Sequence, residues 1–311
     1  MILPLLSQIN SKLNILEKEV YKTICYFDVF KYPLKEEEIL RYCSAKITNE
    51  ELKHALQRLV SEKKIFSQRN FYFLDEKGAA NIGTRLDNEI RLTTFNHKIK
   101  KYARLVNAFP FVEAVFISGS VSKGLLTEDG DVDYFIIAKP NRVWVCRTIL
   151  IVFKKVILLN SKKYFCVNYF IDSENLRVPD SNLFVATEIK TLIPVTSNDI
   201  SARFAEVNQW ADALLPNYGT CNSPLINNKL KKPVLSRCLE MICSSGFGET
   251  LDNFFCKKTI QRWQKKFPHF NKSEFDLNMR SYKNVSKHHP QGYQNKVLNE
   301  VAQRVSKFAG E

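Results

Sequence analysis

The sequence predicts an α+β chain in which a small strand-containing core lies between helical flanks. Two apolar runs of strand length, at 112–118 and 134–138, stand near the middle and are joined by a turn rich in Gly, Ser and Asp. On both sides, apolar residues recur at the three-to-four spacing of amphipathic helices. At 311 residues and 45% hydrophobic content the chain can bury a sizeable core, which argues against disorder and fits two or three domains.

In chain order, residues 13–30 carry apolar positions at helical spacing, and a Pro-containing turn at 32–34 leads into a short second helix. Thr48 is a good N-cap and Glu51, three positions on, completes a capping box, so a third helix runs from there to about Glu62. Two apolar clusters flanking 67–70 predict a β-hairpin. Residues 88–107 read as a long basic helix with Ile90, Leu92, Phe95, Ile99, Tyr102 and Leu105 among its apolar positions, packed behind the 112–118 strand.

After the 134–138 strand, Pro140 and Asn141 turn the chain into its most hydrophobic segment, 143–159. Arg147, Lys154 and Lys155 interrupt that segment, and it falls short of the roughly 20 apolar residues of a spanning helix. A buried helix against the sheet is expected, with no membrane partner. A strand at 164–171 follows, ending at Asp172, and then helices over 188–192 and 200–215, where Trp210 is expected in the core. Residues 216–233 read as a polar linker. Beyond it, residues 257–270 interleave bases and aromatics and read as an amphipathic helix with Ile260, Trp263 and Phe267 toward the core, or else as a phosphate-tracking surface with stacking rings; 286–294, with His288 and His289, reads as a turn or loop. The division expected is 1–85, 86–215 and 216–311, the last a basic helical region.

The net charge is +14, and residues 222–311 hold 16 Lys and Arg against 7 Asp and Glu, a balance of +9. Such a surplus points to a polyanionic partner, nucleic acid among them. The eight cysteines include no Cys-x-x-Cys pair and no zinc-finger spacing; Cys25, Cys146 and Cys166 lie in apolar runs as buried free thiols. This usage, and a first stretch without a basic start or a long apolar core, lead us to expect a cytoplasmic protein.

The chemistry concentrates between the two central strands. Gly119 and Ser120 end the first strand, ten residues follow, and Asp131, Val132, Asp133 and Tyr134 open the second. Alternation along an extended chain puts Asp131 and Asp133 on one face, where both carboxylates reach a single divalent cation. A Gly-Ser turn offers free backbone N–H groups and a hydroxyl to an anionic phosphate. Lys123 reads equally as a further phosphate contact or as a solvated turn lysine, and Gly124 supplies a small turn residue.

This spacing resembles the signature of the nucleotidyltransferase superfamily typified by DNA polymerase beta, over about residues 100–195. The resemblance implies a polymerase-beta-like core that binds an NTP with Mg²⁺ or Mn²⁺ and transfers NMP to an acceptor hydroxyl. Asp131 and Asp133 would be metal ligands and catalytic residues, and Gly119, Ser120, Lys123 and Gly124 would bind the nucleotide. It also implies a third carboxylate on a later strand, where this chain has Asn168. Cys166, Asn168 and Phe170 share a face by alternation; Asp172 has the same parity but lies roughly 13 Å further along at about 3.3 Å per residue, within reach only through a bend or bulge. An amide cannot act as a base, so the alternative is a catalytically inactive nucleotide- or nucleic-acid-binding regulatory protein.

Three helices and a hairpin at the N-terminus resemble a winged helix-turn-helix domain. That resemblance implies either a DNA contact, with Lys53, Arg58, Lys63, Lys64 and Arg69 meeting phosphates, or a module that positions other parts of the protein.

Overall fold

The computed structural model describes residues 2–220, 222–228 and 230–307, without the side chains of residues 2–14. Cys221, one of the eight cysteines, lies outside the described residues, as do the side chains of the first stretch, whose sequence bears on a leader.

The chain opens with α1 (Ile2–Asp28), α2 (Glu36–Tyr42) and α3 (Asn49–Ser61). Thr48 caps α3 as its spacing predicts: its hydroxyl accepts from the Glu51 N–H at 3.2 Å, and the Glu51 carboxylate accepts from the Thr48 N–H at 3.0 Å. The hairpin is present as β1 (Phe66–Gln68) and β2 (Phe71–Phe73). Arg69 and Asn70 turn it with φ of 52° and 64°, the left-handed pair of a two-residue hairpin loop. Leu34 bridges to Tyr72, adding a third extended segment. Of the basic residues expected at phosphates, Arg58 pairs with Glu17 at 3.0 Å and Lys64 with Glu62 at 3.2 Å, while Lys53, Lys63 and Arg69 are exposed.

A 3₁₀ turn (Glu76–Ala80) leads into α4 (Asn81–Asn107), which starts a turn and more before the expected 88. Its inward stripe runs Arg85, Asn88, Leu92, Phe95, Ile99, Ala103 and Val106. Ile90, expected among the apolar positions, falls off that stripe and is 64% exposed.

The predicted order of helix, strand, Gly-Ser turn, strand, helix, strand is present as α4, β3 (Val112–Ser118), α5 (Gly119–Ser122), β4 (Asp133–Ala138), α6 (Val143–Val156) and β5 (Cys166–Asp172). The chain continues through α7 (Leu183–Thr191), β6 (Ile193–Pro194), α8 (Asp199–Val207), α9 (Trp210–Leu214), α10 (Val234–Ile242), α11 (Gly246–Lys266), α12 (Lys272–Met279), β7 (Ser281–Tyr282), β8 (Val285–Lys287) and α13 (Tyr293–Ser306). The sheet is mixed, in the order β6-β3-β4-β5-β8-β7, with only β4 and β5 parallel and joined through α6.

Alternation sorts the sheet's two faces. Val115, Ile117, Tyr134, Ile136, Val167 and Phe170 pack with α4, α6 and Trp263 of α11. Phe116, Phe135, Ile137 and Ile171 pack with Val185 of α7 and Phe204 of α8. α6 packs against the sheet as expected, with Trp144 and Leu150 inaccessible, but it is not buried all round, Val152 and Val156 being more than half exposed; no described helix is long and apolar enough to cross a membrane. Arg142 precedes α6 without a capping side chain; the buried Asp252 of α11 supplies it, accepting from the N–H groups of Trp144 and Val145 at 2.8 Å each.

Two readings are corrected. The predicted 200–215 helix breaks into α8 and α9 around Asn208, whose side chain is buried and serves the backbone instead: it accepts from Val178 N–H and donates to Leu176 and Phe204 carbonyls. Residues 285–287, placed partly in a loop by the sequence, form β8, which pairs with β5 through Tyr169, Phe170 and Ile171. An edge strand three residues long, Val-Ser-Lys, is too short for alternation to announce it. The chain then returns to its start, where Val297 and Val301 of α13 join the core of α1, α2 and α3, together with Ala186 of α7 and Leu215.

Arg85 ties α4 to that first core. Its guanidinium is 2% exposed, forks onto Glu38 at 2.8 Å on each oxygen, reaches Glu89 at 2.9 Å, donates to the Pro33 carbonyl and stacks 4.1 Å from the Tyr32 ring centroid. Tyr32 in turn donates to Glu38 at 2.9 Å. Arg85→Ala leaves Glu38 without its counter-charge and Glu89 with only Lys35 at 3.7 Å, and urea unfolding should show a loss of about 3 kcal/mol. Arg85→Lys should recover less than half of it, because an ammonium cannot reproduce the fork; full recovery would show that charge alone matters there.

Candidate functional site

The sheet brings the Gly-Ser turn and the carboxylate pair together by register. Ser118, the last residue of β3, pairs with Asp133, the first of β4, so Gly119 turns away directly beside the Asp133 carboxylate. Gly119 has φ +68°, and a Cβ there would stand 2.5 Å from Asp133 Oδ2. Both conditions require glycine. Gly124 has φ +85° with open space around it, so its requirement is the turn alone. Between them α5 makes a single turn, in which Ser120 is half-buried and its carbonyl accepts from the N–H groups of Lys123 and Leu125 at 3.0 Å each.

Asp131 and Asp133 converge as alternation predicts. Val132 between them is buried and held by backbone bonds on both sides: its N–H donates to Lys163 O and its carbonyl accepts from Cys166 N–H, each at 3.0 Å. Oxygens of Asp131 and Asp133 and the sulfur of Cys166 all lie within 4.8 Å of one another. Burial first, and then the charge of Asp131, raise the Asp133 pKa to about 7, while the Cys166 thiol eases it downward. Burial and the two carboxylates push the Cys166 thiol well above its usual range, so it stays protonated and donates to them.

A bulge in β5 decides what else enters. Tyr134 pairs with Val167 but Phe135 pairs with Tyr169, which leaves Asn168 as the extra residue. Its amide donates to Asp133 Oδ1 at 2.8 Å and approaches Cys166 Sγ at 3.1 Å. The bulge shifts the parity of everything after it, so Phe170, expected on the Cys166 face, lies in the opposite core with Trp144. Asp172 is excluded from the cluster. It pairs with Ala138 at the far end of β4, and its Oδ1 accepts from the N–H groups of Glu174 and Asn175 in a local turn.

Lys123 reaches inward rather than out: its ammonium donates to Gly119 O at 3.2 Å and to Glu188 Oε1 at 2.8 Å. A phosphate contact would exchange one of these partners. Glu188, on α7, also adds its charge to the field on Asp133. Ser122 donates to Gly119 O at 2.8 Å. Glu188 carries no motif and no spacing to the pair, so nothing in the sequence singles it out. Cys166 shares strand parity with Asn168, a signal outweighed by its apolar neighbours. Of the two histidines, His289 is buried with Nε2 unpartnered, and neither joins the carboxylates.

A carboxyl whose pKa is raised by folding stabilises the fold while protonated, fully so below the ordinary carboxylate range, and loses that contribution as pH rises through its folded value. In metal-free buffer, wild type should therefore lose thermal stability relative to Asp133→Asn as pH rises from about 4 to about 7, with the variant the more stable above that. Parallel melting curves across this range would show that Asp133 is not in the field described.

No protein-family model, curated protein or solved structure matches the chain, so the site stands on its own geometry: a glycine turn closed against two carboxylates, a thiol and an amide.

Proposed function

We propose that this chain is a metal-dependent nucleotidyltransferase of the polymerase-beta-like superfamily, which binds an NTP and transfers NMP to an acceptor hydroxyl. The closure of the Gly119 turn onto Asp133 carries the reading, because it sets the N-terminal N–H groups of α5 beside two converging carboxylates. The donor set fits Mg²⁺ or Mn²⁺: the oxygens of Asp131 and Asp133 are hard ligands, and their mutual repulsion is what a divalent cation relieves. The protonated Cys166 and the amide donor of Asn168 hold the carboxylates in place rather than competing as ligands.

Bound there with the nucleotide, the cation supplies charge neutralisation of the triphosphate and of the oxygens around the α-phosphorus. Ser120 and the backbone N–H groups of the α5 turn hold the β- and γ-phosphates, and Lys123 turns from Glu188 toward them. Asp131 and Asp133 would hold the cation beside the α-phosphate, where the acceptor oxygen would bond to phosphorus as the bond to pyrophosphate breaks and the hydroxyl proton leaves to solvent. Asn168 cannot take the acceptor's proton, and Glu188 is the further carboxylate in the field of the pair.

Asn168 also favours a second reading, in which the site keeps nucleotide binding without turnover, as in a regulatory protein. The N-terminal helices and hairpin fit a winged-helix-like module in either case. Their shared core with α7 and α13, and the ion pairs of Arg58 and Lys64, favour positioning over DNA reading.

Melting temperature with each NTP, with and without Mg²⁺ or Mn²⁺, tests the site without knowledge of the acceptor. A nucleotide at about 100 times its dissociation constant should add roughly 2.7 kcal/mol, and the shift should need metal and vanish in Asp131→Asn/Asp133→Asn. No shift with any nucleotide would remove both readings of the site; a shift without NMP transfer to any acceptor would leave the second.

A further inference from the structure

Most buried or half-buried cations of this chain have a carboxylate partner: Arg85 has Glu38, Arg280 has Asp180, Lys123 has Glu188 and Lys139 has Glu240. One group does not. Arg147, Lys154 and Lys155 of α6, Lys162 of the loop before β5, and Arg262 and Lys266 of α11 make no ion pair among the described residues.

These six converge. Arg147 lies 4.7 Å from the Trp263 ring centroid, and Trp263 lies 4.9 Å from the His288 ring. Burial first, then the charges of Arg147, Lys266, Lys162 and Lys154, hold the His288 pKa down to about 4, so all four cations share its surroundings. Arg262 is the charge nearest in effect to Arg147, and Lys155 is among those acting on Lys154. Lys154 is 8% exposed as a residue, makes no ion pair among the described residues, and has its pKa lowered, first by burial. An ammonium so placed, among like charges, is held at a cost that an anion would remove.

The group also has a direction. β4 starts at the carboxylates and α6 returns toward that end, finishing in Lys154 and Lys155. The carbonyl of Lys163, next to Lys162, accepts from the N–H of Val132 between the two aspartates, and Lys154 is in the field of Cys166. Beside Lys162 opens a cleft of about 230 Å³ walled by Tyr102, Leu158, Tyr164 and Phe165, with Tyr102 and Tyr164 stacked at 5.3 Å. Cations that continue along a helix suit a repeating phosphate chain, and an apolar, aromatic cleft next to them suits a base.

We propose that this cationic rim seats the phosphodiester backbone of a nucleic-acid single strand, whose terminal hydroxyl is the acceptor at the Asp131–Asp133 site. The assignment of the acceptor rests on the nucleotidyltransferase reading; the binding surface does not. Trp263 is buried and Phe267 packs half-buried against the same core, so recognition is taken to be electrostatic and indifferent to sequence.

The test is fluorescence anisotropy of a labelled single-stranded RNA over a salt series, with wild type, Lys155→Glu/Lys162→Glu/Lys266→Glu and Asp131→Asn/Asp133→Asn. The three lysines are exposed, so the charge reversal should fold, as thermal melting will check; Lys162→Gln in its surface loop serves if it does not. The reversal should weaken binding at least tenfold and cut the log–log salt slope by about 2, at about 0.7 for each phosphate no longer neutralised. The aspartate variant should bind the strand as wild type does. Unchanged affinity and slope in the lysine variants would overturn the proposal, as would equal binding of polyglutamate or anionic vesicles, or displacement of the strand by tripolyphosphate at the concentration that displaces NTP. Strand binding through the rim with no nucleotide-induced melting shift would overturn the nucleotidyltransferase reading and leave the rim standing.

Discussion

The close approach of Asp133 to Gly119 is the constraint on which the site depends. A side chain at 119 would occupy the space of the Asp133 carboxylate, and the left-handed backbone there admits a side chain only with strain. Because Ser118 and Asp133 are register partners, the turn cannot move off the carboxylate without breaking the β3–β4 ladder. The result is a carboxyl that has lost most of its water and gained a like-charged neighbour. Asn168 and Cys166 answer with donors rather than with charge, which leaves the repulsion for a cation to settle.

That arrangement is held in place from two directions. On one face of the sheet, α4, α6 and α11 share a core that reaches from Ile99 to Trp263, and Asp252 of α11 caps α6. On the other, α7 brings Glu188 to Lys123 while its Ala186 packs into the N-terminal core with α1 and α13. Tyr32 adds a direct link, since its hydroxyl belongs to the Arg85–Glu38 network and approaches the Lys123 carbonyl at 3.4 Å. The first and last segments of the chain therefore act on the site through α7 and the α5 turn, although neither supplies a carboxylate to it.

Charge is distributed by role. Cations that join elements, such as Arg85, Arg280 and Lys139, are paired, and Arg142 is spent on the carbonyls of Cys243, Ser244 and Ser245 at the end of α10. Others, such as Arg147 and Lys154 of α6, have no carboxylate partner among the described residues. Which cations are paired is set by the fold, so the net charge of +14 does not by itself say where the free charges lie.

The sequence by itself determined the elements that depend on local chemistry. The Thr48 capping box, a hairpin around 67–70, the 112–118 strand, a helix after Asn141 that packs on the sheet and the convergence of Asp131 with Asp133 all follow from spacing and residue type. Only the tertiary structure decided the rest, for reasons of range and of single-residue register. A one-residue bulge at Asn168 reverses the faces of β5, sending Phe170 to the opposite core, and alternation has no means of detecting it. Glu188 comes to the site from a helix more than fifty residues beyond Asp133, and β8 from the C-terminal region, through packing that no local pattern encodes. The pairing of cations is likewise invisible in composition: Lys123 and Lys154 are the same residue type, yet folding gives one a carboxylate and leaves the other, nearly buried, without one.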